Sequence, residues 1–138
     1  MIESGLIRRL ASIVGRDSVL VEPATLLTYE SDAYMLARST PAAVVLPGSP
    51  GETEAVVRVL AEAGLPMVPR GAGTSLSGGC HAPDGSVVVA LTRMRVIEKL
   101  DPENRQALVQ AGVVNLALTR AAAPYGLHYA PDPSSQQA

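Results

Sequence analysis

Residues 66–79 read Pro-Met-Val-Pro-Arg-Gly-Ala-Gly-Thr-Ser-Leu-Ser-Gly-Gly. A short apolar pair, Met67-Val68, leads into a loop holding Gly71, Gly73, Gly78 and Gly79. Thr74, Ser75 and Ser77 lie between these glycines, and Arg70 stands at the entrance. Glycine admits positive φ and lets backbone approach a ligand with no Cβ in the way. Successive N–H groups in such a loop converge on an anion, and short hydroxyls add donors. An arginine suits phosphate geometry, although it would equally pair with a nearby carboxylate. The stretch therefore reads as a phosphate or pyrophosphate cradle, with a glycine-rich turn between strands as the plainer alternative. Two common phosphate loops fit poorly. A Rossmann fingerprint would place glycine where Leu76 stands, and a P-loop would need a lysine that the loop lacks.

Working upstream, residues 43–46 (Ala-Val-Val-Leu) form a short buried-strand pattern ended by Pro47-Gly48. Ser49-Pro50-Gly51-Glu52 has the form of a capping box with proline at the first helical position. Val56, Val59, Leu60 and Ala63 then share one helical face, and Gly64 follows as the cap. With a strand at residues 65–68, the region 43–68 is a strand–helix–strand unit, which favours a parallel strand pair. The glycine loop then leaves the carboxyl end of a strand, where open α/β sheets place ligands.

Further upstream, Leu6, Ile7, Leu10, Ile13 and Val14 recur at helical spacing and Gly15 stands at the C-terminal cap. Arg8 and Arg9 fall on the wet face of this helix and carry no assigned function. Residues 19–21 form a short strand pattern broken at Glu22-Pro23. The segment Tyr29-Glu30-Ser31-Asp32-Ala33-Tyr34, taken alone, reads as a solvated connection. Downstream, Pro83-Asp84-Gly85 is a turn and residues 87–91 a continuous apolar strand. Residues 96–101 and 105–111 are two further strands. In the second, Ala107, Val109 and Ala111 alternate with Gln106 and Gln110, the pattern of a sheet with one covered face. Asn115 is placed to cap a helix that Pro124 and Gly126 end. One α+β domain accounts for these elements.

Composition bounds the function. A chain of 138 residues suffices for one packed core. A net charge of −2 argues against nucleic acid, which selects clustered Lys and Arg. No apolar run approaches the ~20 residues of a membrane span, and the N-terminus lacks the apolar core of a signal peptide. The single Cys80 forms no internal disulfide framework and suits a reducing compartment, so a cytoplasmic location is expected. As a lone cysteine beside Gly79 it reads as a small hydrophobe. His81 and His128 are far apart with no partner at ligand spacing, so no metal is expected. Asp132 is a possible base or acceptor, though Pro131-Asp132-Pro133 is also ordinary turn composition. These features support a phosphate-bearing ligand and supply no reaction.

Residues 69–79, Pro-Arg-Gly-Ala-Gly-Thr-Ser-Leu-Ser-Gly-Gly, resemble the FAD pyrophosphate loop of the vanillyl-alcohol oxidase/p-cresol methylhydroxylase (PCMH-type) flavoprotein family. Residues 129–136, Tyr-Ala-Pro-Asp-Pro-Ser-Ser-Gln, resemble a second segment of its branch related to the FAD-linked subunit of glycolate oxidase and to D-lactate dehydrogenases. The likeness runs over roughly residues 25–138, including the 41–64 unit and the 96–112 strand pair.

The resemblance implies an N-terminal helix and lead-in over residues 1–40. It implies the first half of a PCMH-type FAD-binding domain over 41–138, incomplete at its C-terminus. Carried over by position, Pro69, Arg70, Gly71, Ala72, Gly73, Thr74, Ser75, Gly78 and Gly79 would contact the FAD diphosphate and ribityl chain. Pro131, Asp132 and Ser134 would lie on the flavin side, with Ala138 at that segment's edge. Thr74 stands where some relatives carry a flavin-linking histidine, so non-covalent FAD is expected. The family's second motif runs on beyond the point where this chain stops, and its catalytic, substrate and metal residues lie there. The expected parent is an FAD-linked oxidase or dehydrogenase. It would take hydride from the CH–OH carbon of a 2-hydroxy acid, bound through a domain absent here, with other oxidase subunits as candidate partners; the 138-residue piece alone would be inactive. Two rivals stand beside it. One is a non-catalytic nucleotide-binding or subunit-docking module. The other is the cell-wall-precursor reductase of the same cofactor fold, which both quoted motifs disfavour.

Overall fold

The computed structural model describes residues 2–34, 36–130 and 135–138, and they fall into two compact units, Met1–Arg93 and Met94–Ala138. In the first, helix α1 (Ser4–Val14) ends at Gly15 with φ 88°, a turn that glycine takes without strain. Strand β1 (Val19–Leu20) follows. Helix α2 (Pro23–Leu26) starts where the sequence pattern shows only a break, because proline is well placed in the first turn of a helix. Then come β2 (Ala43–Val45), α3 (Pro50–Glu62), β3 (Met67–Arg70) and β4 (Val87–Ala90).

These strands form one sheet in the order β1-β2-β4-β3. Strand β1 runs antiparallel to β2, while β2 and β3 both run parallel to β4, with Val88 opposite Val44 on one side and Val68 on the other. The parallel orientation expected of the strand–helix–strand unit is present, but β2 and β3 are not neighbours. A later strand has entered between them. The reason lies in burial. All four residues of β4 are buried, a sequence suited only to a position covered on both faces and paired on both edges.

Alternation along β2 and β4 sends side chains to two separate cores. Ala43, Val45, Val87 and Val89 pack with Leu10 and Val14 of α1 and with Val56, Val59 and Leu60 of α3. Val44, Val88 and Ala90 pack on the opposite side with Leu26 of α2 and Ala82, flanked by Tyr29. Residues from the first forty positions therefore pack with the strands after Pro41 in both cores. At the start of α3, Ser49 Oγ accepts the Glu52 N–H at 3.2 Å and Glu52 Oε2 accepts the Gly48 N–H at 2.7 Å. This is the capping box displaced by one residue on its return arm. Ala63, expected on the apolar face, is exposed at the C-cap.

In the second unit, β5 (Ile97–Asp101) and β6 (Gln106–Val109) form an antiparallel pair. The Asn104 side chain and backbone both donate to the Asp101 carboxylate, holding its carboxyl below the usual aspartate range. Helix α4 (Asn115–Ala122) has Val114 as its N-cap, so Asn115 sits one position inside the helix and the cap carries no side-chain bond. Ala107 and Ala111 are exposed; the apolar face expected to be covered is open. No helix among the described residues is long and apolar enough to cross a membrane.

Two substitutions test this packing. Leu60 is fully buried between α3 and the sheet, so Leu60→Ala is expected to lower stability by about 2–5 kcal/mol. Ser49→Ala removes the α3 cap and is expected to cost about 1 kcal/mol. Urea denaturation measures both, and a Leu60→Ala midpoint equal to wild type would contradict the assigned core.

Candidate functional site

Strand β3 delivers the glycine loop. Leu91 N–H donates to the Arg70 carbonyl at 2.9 Å, so the sheet registers the chain up to the last residue before Gly71. Beyond it the backbone turns repeatedly, with φ of 77° at Gly73 and 73° at Gly78. Ser75 Oγ accepts the Ser77 and Gly79 N–H groups at 3.3 and 3.1 Å, curling the far side of the loop onto one hydroxyl. None of these bonds engages the amides of residues 72–75. Gly71, Ala72 and Thr74 are exposed, and a Cβ added at Gly71 would meet nothing within 4 Å.

The side chain of Arg70 turns inward. It is only 8% exposed, its guanidinium carbon lies 5.4 Å from the centroid of the Tyr29 ring, and Nη1 has no hydrogen-bond partner among the described residues. A Cβ at Gly73 would stand 2.3 Å from Arg70 Nη2. The cation thus lies directly beneath the loop, and Gly73 is required twice over: for its positive φ and for the room that Arg70 occupies.

The segment read as a solvated connection is placed under the same loop. Asp32 is buried; its Oδ1 accepts the Tyr34 N–H at 2.8 Å and its Oδ2 the Cys80 N–H at 3.2 Å. Ala33 N–H donates to the Gly73 carbonyl at 3.1 Å, and the Tyr34 ring lies 3.5 Å from the position of a Cβ at Gly78. Burial opposes the charge on Asp32, but the two N–H donors and the nearby Arg70 cation outweigh it and hold the carboxyl below its ordinary range. The local half of this arrangement, an Asp accepting the N–H two residues on, is a common turn device. The other half joins positions 48 residues apart and leaves no local signature.

Cys80 is half-buried and contributes its backbone N–H. His81 Nε2 lies 3.4 Å from Ser39 Oγ, while Nδ1 is buried without a partner among the described residues. Those residues contain no group of three side chains able to hold a metal ion.

In the second unit Tyr129 N–H donates to Thr119 Oγ1, Leu116 N–H to the Gln136 carbonyl, and Ala138 N–H to the Ser135 carbonyl. Ala138 is exposed beside α4, whereas Pro131, Asp132 and Ser134 lie outside the described residues. Within the second unit a cavity of about 700 Å³ is lined by Ala107, Val109, Leu118, Ala122, His128 and Tyr129 among others.

The loop's chemistry fits an anion such as the FAD diphosphate: uncommitted amides on an exposed turn, an open face at Gly71, and a buried cationic donor short of a partner. Comparison with known proteins supplies the family. The family model described as an FAD binding domain matches residues 41–138. The glycolate oxidase subunit GlcD of Escherichia coli K12 is 42% identical over 80% of this chain and 22% of its own length. GlcD of Bacillus subtilis is 36% identical over 99% of the chain and 29% of its own length. The D-2-hydroxyglutarate dehydrogenase of Stutzerimonas stutzeri is 33% identical over 96% and 28%. Among solved structures, p-cresol methylhydroxylase with substrate bound matches at a TM-score of 0.79 and 25% identity, over 91% of this chain and 26% of that one. The chain thus spans about a quarter of the length of these relatives. It belongs to the PCMH-type FAD-binding domain family of FAD-linked oxidoreductases, and its cofactor is FAD.

Proposed function

We propose that residues 69–75 with Gly78 and Gly79 hold the FAD diphosphate, and that the whole protein oxidises a 2-hydroxy acid of the glycolate or D-lactate type. The observation that carries the first part is a turn exposed at Gly71, Ala72 and Thr74, whose amides at 72–75 have no acceptor among the described residues, above a buried, partner-poor Arg70. Backbone donors arranged in this way recognise phosphate oxygens without needing a lysine. Gly71 supplies the close approach; Thr74 and Ser75 supply hydroxyls at the rim. With Thr74 at the loop's centre and no histidine between residues 69 and 79, the flavin is held non-covalently. Pro131, Asp132, Ser134 and Ala138 complete the proposed set on the flavin side.

The second part rests on the names of the relatives, glycolate oxidase subunits and 2-hydroxy-acid dehydrogenases. FAD supplies the chemistry when bound, accepting hydride from the carbon that bears the substrate hydroxyl. This chain's residues contribute binding and orientation, and association with further oxidase subunits belongs to the same proposal.

Titration of the 138-residue chain with FAD, followed by flavin fluorescence, is expected to give weak, saturable, one-to-one uptake, and no uptake at all would overturn the binding reading. Two alanine substitutions locate the site. Gly71→Ala places a methyl in open space at a backbone angle that alanine tolerates. It is expected to leave the melting temperature unchanged while lowering FAD affinity. Gly73→Ala meets both a positive φ and the Arg70 guanidinium, and is expected to cost at least ~1 kcal/mol of stability in addition to FAD uptake. An FAD affinity unaffected by Gly71→Ala would move the diphosphate elsewhere.

A further inference from the structure

The geometry points to Asp32 as a positioning residue that holds the glycine loop, from beneath, in the shape that receives the FAD diphosphate; this rests on the binding reading above. Its carboxylate stands where the loop's return limb meets the segment below it. One oxygen accepts the N–H of Cys80, the first residue after Gly79, and the other accepts the N–H of Tyr34. Tyr34 in turn packs its ring against Gly78, and Ala33 between them donates to the Gly73 carbonyl. Both bends at positive φ, Gly73 and Gly78, are thereby tied to three consecutive residues, 32–34.

Charge makes the bracket more than packing. Arg70 lies buried below the loop, with Nη1 unpartnered among the described residues and its guanidinium over the Tyr29 ring. A buried cation without a counter-charge is costly. The Arg70 cation helps hold the Asp32 carboxyl below its ordinary range, although the two make no ion pair among the described residues. Because both carboxylate oxygens are committed to backbone N–H groups, Asp32 offsets the cation while leaving Nη1 free for the ligand. A direct Asp–Arg pair would neutralise the same charge and occupy the donor. Bonds from N–H to an ionised acceptor are also stronger than neutral ones, which suits a loop that must keep its amides turned outward before any ligand arrives. Asp32 touches neither cofactor nor substrate in this scheme; it acts through Cys80, Tyr34 and Arg70.

Amide hydrogen exchange by NMR on the ligand-free 138-residue chain, together with FAD titration and thermal melting, tests this for wild type, Asp32→Ala and Asp32→Asn. In Asp32→Ala the Cys80 and Tyr34 amides are expected to exchange faster, and FAD affinity to fall, by about tenfold or more, the loss expected for a bond to a charged group. The amides of Val44 and Val88 in the central strands should keep wild-type protection. Asp32→Asn retains the volume and one acceptor and is expected to fall between the two. Wild-type loop protection in Asp32→Ala, or an affinity within twofold, would overturn the inference. So would a Cys80 amide that exchanges at the unprotected rate in the wild-type chain, a result that does not depend on any variant folding. If Asp32→Ala unfolds, losing Val44 and Val88 protection, Asp32→Asn is read by the same criteria. A wild-type chain with protected loop amides and no FAD uptake overturns the binding reading itself, whereas FAD uptake indifferent to both Asp32 variants overturns only the role of Asp32.

Discussion

Strand β4 is hydrogen-bonded on both edges and covered on both faces, and the rest of the first unit depends on that position. Val88, for example, faces Val44 on one side and Val68 on the other, and all four residues from Val87 to Ala90 are buried, Val89 the least so at 4% exposed. Each of β2 and β3 is short, with three and four residues. Strands of that length have little stability as isolated pairs. Clamped against β4 they become a registered sheet, and the register continues to Arg70. The glycine loop therefore begins from a fixed point rather than from a flexible tether.

Having fixed its origin, the fold also fixes the loop's floor. Arg70 could have pointed outward, as an arginine in a phosphate loop is ordinarily read from sequence. Instead its guanidinium lies over Tyr29 and under Gly73. Cation–π contact and the field of Asp32 lower the cost of keeping it there, and neither satisfies Nη1. A buried donor left in this state is expensive when empty and rewarding when an anion arrives. In the proposed binding mode, much of the loop's readiness for a diphosphate would come from this arrangement below it, with the amides of residues 72–75 making the direct contacts.

Much of this was legible beforehand. The helix over residues 6–14, the capping box at Ser49 and Glu52, the apolar strands on either side of the loop and the loop itself all follow from local rules. These rules are a 3.6-residue repeat, an alternating or continuous apolar run, and glycines in a cluster. The misreadings share a different cause. Asn115 falls inside α4 because cap identity turns on a single backbone angle, which neighbouring packing decides. The strand pair across β2 and β3 is interrupted because β4, arriving later in the chain, is the more apolar strand and takes the middle.

Residues 29–34 show the division most clearly. Two tyrosines, two acids and a serine in six positions look like solvent-facing chain, and nothing nearby contradicts it. Their partners, Arg70, Gly73, Gly78 and Cys80, lie some forty residues on. By itself the sequence determined the elements and the kind of ligand, because helix period, strand pattern and glycine's freedom from Cβ act over a few residues. Only the tertiary structure decided the strand order, the inward turn of Arg70 and the bracket at Asp32. Those depend on which distant groups share one buried space, and there the cost of desolvating a charge selects its partners.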